Sequence, residues 1–284
     1  MTDDRISRFR AADEDSRQVH GLPDAASGHP ASARLAYADL AFLTRDELRG
    51  VRLQLELEKA ELELQARGIQ STVVIFGSAR IPAPDAASDA APGLAALSGA
   101  YAQARDFARA ITERSLRGGG RDWVVVTGGG PGIMEAGNRG AAEAGGLSIG
   151  LNIVLPHEQH ANPWVTPDLT FTFHYFAIRK MHFLMRARAI AVFPGGFGTL
   201  DEMFEALTLV QTGKSRKRPI LLFGRDFWYR LIDFDYLVAT GMVSPGDLGL
   251  FHFVETAEEA WEVLDAEYGF ELRENGKELP PVDV

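Results

Sequence analysis

The 284 residues are 46% hydrophobic, ample material for the core of one large α/β domain or two small ones, and the absence of cysteine excludes disulfides and thiol catalysis. Twenty-nine Lys and Arg against 39 Asp and Glu give a formal net charge of −10, which disfavours contact with a nucleic-acid backbone but is compatible with a small anionic ligand held by local groups. No apolar run reaches membrane-spanning length and the N-terminus MTDDRISRFRAADEDSR lacks the apolar core of a signal peptide, so a cytoplasmic protein with no membrane partner is expected.

Residues 1–35 mix charge with Ala, Ser, Gly and Pro without apolar periodicity and read as a disordered leader carrying no chemistry. A helical extension is expected over 36–70: Thr44, Arg45, Asp46 and Glu47 read as a capping box, Leu48, Val51, Leu55 and Leu62 follow at helical spacing, and Gly68 is the stop. Glu56, Glu58, Glu61 and Glu63 alternate with leucine and lysine, the pattern of a solvated face.

Over 71–270 short apolar runs alternate with helical stretches, and residues 271–284 are left as a tail. The runs are 73–76, 123–126, 147–154, 169–173, 189–193, 220–223 and 251–254; the helical stretches are 94–116, 133–144, 176–188, 199–211, 226–238 and 257–268. This alternation predicts one α/β domain, a Rossmann-like, doubly wound, mainly parallel sheet of about seven strands with helices on both faces. Ligands in such sheets lie beyond the carboxyl ends of the strands, where strand order reverses. The informative loops are therefore 77–80, 128–132 and 194–199.

The stretch AIAVFPGGFGTLDEMFEALTLVQT, residues 189–212, organises the rest. Its apolar run reads as a strand buried on both faces, Pro194 stops it, and Gly195, Gly196 and Gly198 remove three side chains where the backbone would approach a ligand. Thr199 stands where an N-cap is expected, with Glu202 as its capping-box partner, and free N–H groups at such a helix start favour an anion. A second loop of the same type, Gly128 to Gly132, misses the dinucleotide fingerprint, because glycine would be needed where Ile133 stands. Gly213-Lys214-Ser215 likewise fails as a P-loop, since the leading glycine would fall at Thr208 and the segment follows a helix. His157 and His160 lie three apart in a Pro-flanked loop, which is not a zinc helix, and no metal is expected. Arg179, in the helical stretch before the glycine-loop strand, can return to the ligand pocket; Glu202 stays open between cap and chemistry.

These residues resemble the LOG (Lonely Guy) family. Pro194 to Glu202, PGGFGTLDE, is similar to its PGGxGTxxE signature, Arg179-Lys180 matches its upstream Arg-Lys pair, GGGPGIMEA from Gly128 resembles its second glycine loop and FGSAR from Phe76 its first. The resemblance runs from about residue 73 to 261. It implies a Rossmann-like subunit, dimeric or higher, that hydrolyses the N-glycosidic bond of nucleoside 5′-monophosphates, AMP or cytokinin riboside monophosphates, to free base and ribose 5-phosphate. It also implies Arg179 and Glu202 as the catalytic pair. The nucleotide site would take Lys180, Gly195, Gly196, Phe197, Gly198, Thr199, Leu200 and Asp201, with Thr208, Glu158, Ser78, Gly129 and Gly130 as further contacts, and no cofactor. The alternative is a non-catalytic nucleotide or cofactor carrier using the same loops. A lysine decarboxylase would need a pyridoxal-phosphate lysine, for which Lys180 has no supporting context.

Overall fold

The computed structural model describes residues 12, 31–155 and 160–270; the expected leader through residue 30, apart from residue 12, and the tail 271–284 lie outside the described residues. The chain divides into two compact units, residues 1–55 and 56–284. In the first, Asp39 caps the single-turn helix Leu40–Leu43 by accepting from the Phe42 N–H at 3.1 Å. The capping box expected at Thr44 does not form. Thr44 ends that helix instead, and its hydroxyl donates back to the Leu40 carbonyl at 2.8 Å; a short 3-10 turn, Asp46–Leu48, then leads into helix α1, Arg49–Ala66.

The second unit is built on seven strands: β1 Thr72–Phe76, β2 Val124–Thr127, β3 Ser148–Ile153, β4 Thr170–Phe173, β5 Ala187–Val192, β6 Ile220–Phe223 and β7 His252–Val254. Every neighbouring pair is parallel, in the order β4-β3-β2-β1-β5-β6-β7. The chain therefore winds outward from β1 to β4, crosses back, and winds outward again from β5 to β7. The order reverses between β1 and β5, and the side chains of both strands are buried almost throughout, as a central parallel sheet requires.

The connecting helices are α2 Ser98–Arg117, α3 Ile133–Glu143, α4 Phe176–Met185, α5 Phe197–Gln211, α6 Arg225–Leu231, α7 Phe234–Ala239 and α8 Ala257–Tyr268. Val73 and Ile75 share one core with Phe107 and Ile111 of α2, Ile133 of α3 and Leu264 of α8. On the opposite face Phe76 meets Phe183 of α4 edge to face at 4.9 Å, α4 packs on β3 and β4, and α5 packs on β1. Two expected helices are broken. The one over 94–116 divides at Leu97, and the one over 226–238 divides at Ile232, where Asp233 starts α7 by accepting from the Tyr236 N–H at 2.8 Å.

The glutamates of α1 are not all solvated. Glu56 accepts from the N–H groups of His174 and Tyr175, at 2.8 and 3.1 Å, just before α4, where the helix dipole favours a carboxylate. Glu61 makes a two-pronged pair with Arg186 at the other end of α4, and the hydrogen bonds from that guanidinium hold the Glu61 carboxyl below its ordinary pKa. Local alternation could not reveal this, because the partners lie more than 100 residues away. Arg186 is 4% exposed, so removing its partner strands a buried charge. Glu61→Ala should cost about 3 kcal/mol in urea unfolding, whereas Glu58→Ala, at an exposed position, should stay within about 0.5 kcal/mol. Equal effects would mean that the pair contributes nothing.

Candidate active site at the sheet switch point

The loops after β1, β2 and β5 meet above the carboxyl edge of the sheet and are tied by backbone hydrogen bonds. Phe193 N–H donates to Phe76 O at 2.8 Å, Ser78 N–H to Pro194 O at 3.1 Å and Ile133 N–H to Ser78 O at 3.1 Å. Above this floor opens a cleft of about 1410 Å³, lined by Ser78, Gly130, Arg179, Gly195, Gly196, Phe197, Gly198, Thr199, Leu200 and Glu202 among others.

Helix α5 starts at Phe197 with Gly196 as its N-cap, two residues before the expected start. Thr199 is therefore not the cap. It lies in the first turn, buried against Gly195, where a Cβ would run into its side chain. Glu202 falls too far into the helix to reach back to the cap, so the capping box is absent and the carboxyl is left for another partner. Gly196 and Gly198 have open space where a side chain would be, and Phe197 is 93% exposed, so the helix start and its orphan N–H groups face solvent. No acidic residue stands in that turn to repel an anion.

Arg179 meets Glu202 here: Nη1 lies 3.3 Å from Oε1, with the two side chains 9% and 15% exposed. Arg179 Nε also donates to Leu151 O at 2.7 Å, and its guanidinium lies 5.0 Å from the centre of the Phe183 ring. Gly128 makes room for it, since a Cβ there would lie 2.5 Å from Nη2. Burial pushes the Glu202 carboxyl up to about 7; Arg179 and Lys180 oppose that rise, while Asp201 and Glu205 add to it. The pair is thus a carboxyl group poised near neutrality beside a fixed cation.

Lys180, Asp201 and Thr208 are not brought into the cleft. Neighbouring residues on a helix point about 100° apart, so Lys180 and Asp201 turn away as Arg179 and Glu202 turn in. They line a separate depression of about 420 Å³ with Phe204, Glu205 and Leu209. There Lys180 pairs with Asp201 at 3.2 Å and Glu205 at 3.0 Å; burial alone would lower its pKa, but these hydrogen bonds outweigh it and raise it. Gly129 forms the cleft's backing rather than its lining. Its φ of 73° suits glycine, and a Cβ there would strike Asn152. Glu158 lies outside the described residues.

A polar network unseen in the sequence fixes the second glycine loop. Gly129 N–H donates to Thr127 Oγ1 at 2.9 Å, Thr127 to Asn138 Oδ1 at 2.7 Å, and Asn162 Nδ2 to Asn138 Oδ1 at 2.9 Å. The Gly129 carbonyl accepts from Asn162 N–H at 2.8 Å and Nδ2 at 3.1 Å. In a trans peptide the carbonyl and the next N–H point in opposite directions, so the Gly130 N–H is turned away from Asn162, and Gly130 lines the cleft. A polar Asn138 amid the small buried positions Ala136, Gly137, Gly140 and Ala141 was the available signal; Asn162 carried none.

A family model described as "possible lysine decarboxylase" matches residues 134–264. The chain is 34% identical over 89 residues to the probable cytokinin riboside 5'-monophosphate phosphoribohydrolase LOGL3 of Oryza sativa subsp. japonica, covering 31% of this chain and 42% of that protein. It is 27% identical over 167 residues to cytokinin riboside 5'-monophosphate phosphoribohydrolase LOG5 of Arabidopsis thaliana, covering 57% and 69%. The match thus spans less than half of the rice relative and about two thirds of the Arabidopsis one. Among solved structures, a molybdenum cofactor binding protein from Rippkaea orientalis is similar with a TM-score of 0.47 and 20% identity, over 70% of this chain and 97% of that one. The molybdenum cofactor carrier protein from Chlamydomonas reinhardtii gives 0.43 and 20%, over 69% and 97%.

The raised pKa has a consequence for stability. Between the ordinary carboxyl value of 4.5 and about 7 the folded state holds a proton that the unfolded state has lost, so stability contributed by Glu202 falls as pH rises through that window and is constant above it. Glu202→Gln removes this dependence. The stability of the variant minus that of wild type should shift in the variant's favour from pH 5 to pH 8, by about 3 kcal/mol at most. A flat difference would mean an ordinary carboxyl. The resemblance to the LOG family read from the glycine loops is borne out by the curated relatives, at modest identity.

Proposed function

We propose that the protein hydrolyses the N-glycosidic bond of nucleoside 5′-monophosphates, releasing free base and ribose 5-phosphate. The observation that carries this reading is Glu202: a carboxyl raised to about 7, paired with Arg179, in a cleft that also holds an open helix N-terminus free of acidic residues. Cleavage of the C1′–N bond sends its electron pair to the base and leaves positive charge on the ribose. Ionised Glu202 stabilises that charge and takes a proton from the attacking water as the water oxygen bonds to C1′; the departing base picks up a proton from solvent, and Glu202 returns its own to solvent, which restores the carboxylate. Arg179 keeps the carboxylate available by opposing its protonation. The phosphate, bound at the start of α5, supplies binding energy remote from the bond that breaks.

The names of the relatives support the same reaction class. A carrier using the same loops has no use for a carboxyl held near neutrality. Lys180, the lysine beside Arg179, is paired with Asp201 and Glu205 outside the cleft, which gives a pyridoxal-type reaction no anchor there.

Incubation with a panel of nucleoside 5′-monophosphates should release free base and ribose 5-phosphate in equal amounts. Glu202→Gln should keep binding and lose turnover on the order of a thousandfold. Wild type that binds these nucleotides yet releases base from none of them would make the protein a carrier.

A further inference from the structure

We propose that Arg80 is the cation that binds the 5′-phosphate, an assignment that rests on the nucleoside-monophosphate reading above. Among the described residues the cleft is lined by two arginines, Arg80 and Arg179, with Glu202 as its carboxylate. Arg179 is committed. Its Nε is held by Leu151 O, its Nη1 by Glu202, its face by Phe183, and the pair is largely buried. Swinging it onto a phosphate would leave Glu202 without its counter-charge and the Leu151 carbonyl without its donor.

Arg80 is the opposite case. It is exposed, and its guanidinium makes no hydrogen bond or ion pair with any described residue. Its backbone is nevertheless well placed and fixed. The Arg80 N–H donates to Ser78 Oγ at 3.1 Å, and Ser78 N–H donates to Pro194 O at 3.1 Å, which ties Arg80's loop to the loop that opens α5. An unpaired, planar, five-donor cation thus shares a cleft with the helix N-terminus, and no acidic residue on either loop, GSAR or PGGFGT, competes for it. A phosphate dianion supplies the paired oxygens that a guanidinium grips two at a time, while the amides at the helix start take the remaining oxygen. The division of labour follows from this: Arg80 serves the phosphate, and Arg179 serves Glu202.

The test is calorimetric titration of wild type, Arg80→Gln and Arg80→Lys with ribose 5-phosphate, which has no glycosidic base to lose, and with adenosine, which has no phosphate. Arg80→Gln should weaken ribose 5-phosphate roughly tenfold to a hundredfold, Arg80→Lys should recover part of that loss, and adenosine affinity and melting temperature should not change. Undiminished ribose 5-phosphate binding by Arg80→Gln, or an equal loss for adenosine, overturns the assignment and leaves the hydrolase reading standing. Wild type that binds neither ribose 5-phosphate nor AMP overturns both. Base release from AMP, assayed in parallel, separates a failed reaction from a failed phosphate contact.

Discussion

A carboxyl group and a guanidinium, buried side by side where the strand order of a parallel sheet reverses, are the feature to which the rest of the second unit is fitted. Burying either charge alone would be costly, and together they are tolerated only because each has further support. Arg179 spends one donor on the Leu151 carbonyl and lies over Phe183, while Gly128 gives up a side chain to admit it. Glu202 has no comparable set of donors, and burial outweighs the attraction of Arg179 in setting its proton affinity. That imbalance is the chemical content of the site: a carboxyl stabilised enough to stay folded in, and too poorly solvated to be fully ionised at neutral pH.

The switch-point geometry explains why the parts converge. β1 and β5 are neighbours in the sheet although the chain visits three other strands between them, so the helices that follow them lie on opposite faces and leave a gap at the carboxyl edge. The backbone ties among the three loops make this gap a fixed floor rather than three independent turns. Helix α4 delivers Arg179 from one side and α5 delivers Glu202 from the other. Glu56 and Glu61, on the part of α1 that belongs to the second unit, hold the two ends of α4, which makes a stretch outside the nucleotide-fold pattern part of what positions the arginine.

Much of this was legible in the sequence. Seven apolar runs alternating, but for one connection, with helical stretches predict the sheet, and glycine-containing loops directly after three of those runs mark its carboxyl edge. The resemblance to the LOG motifs pairs Arg179 with Glu202, and the structure brings the two side chains together. What escaped has physical reasons. Starting α5 at Thr199 followed the rule that a hydroxyl caps a helix, yet Gly196 fills that position, and the earlier start is what frees Glu202 from a capping role. The LOG resemblance groups Lys180, Asp201 and Thr208 with the nucleotide site, and the structure places them along a separate depression beside the cleft, a placement that depends on which way each helix faces. Glu61 and Asn162 depend on partners far along the chain, and no local pattern encodes a contact of that kind.

The account stands on the ionisation of one side chain. Carbon-13 NMR titration of the glutamate carboxyls, with Glu202 identified by the resonance missing from Glu202→Gln, reads it without assuming any substrate. A midpoint near 7 for wild type is the result expected from burial beside Arg179. A midpoint near the ordinary 4.5 would mean that the carboxyl is solvated and fully ionised at neutral pH, and the claim that this site is built around a poised carboxylate would be contradicted.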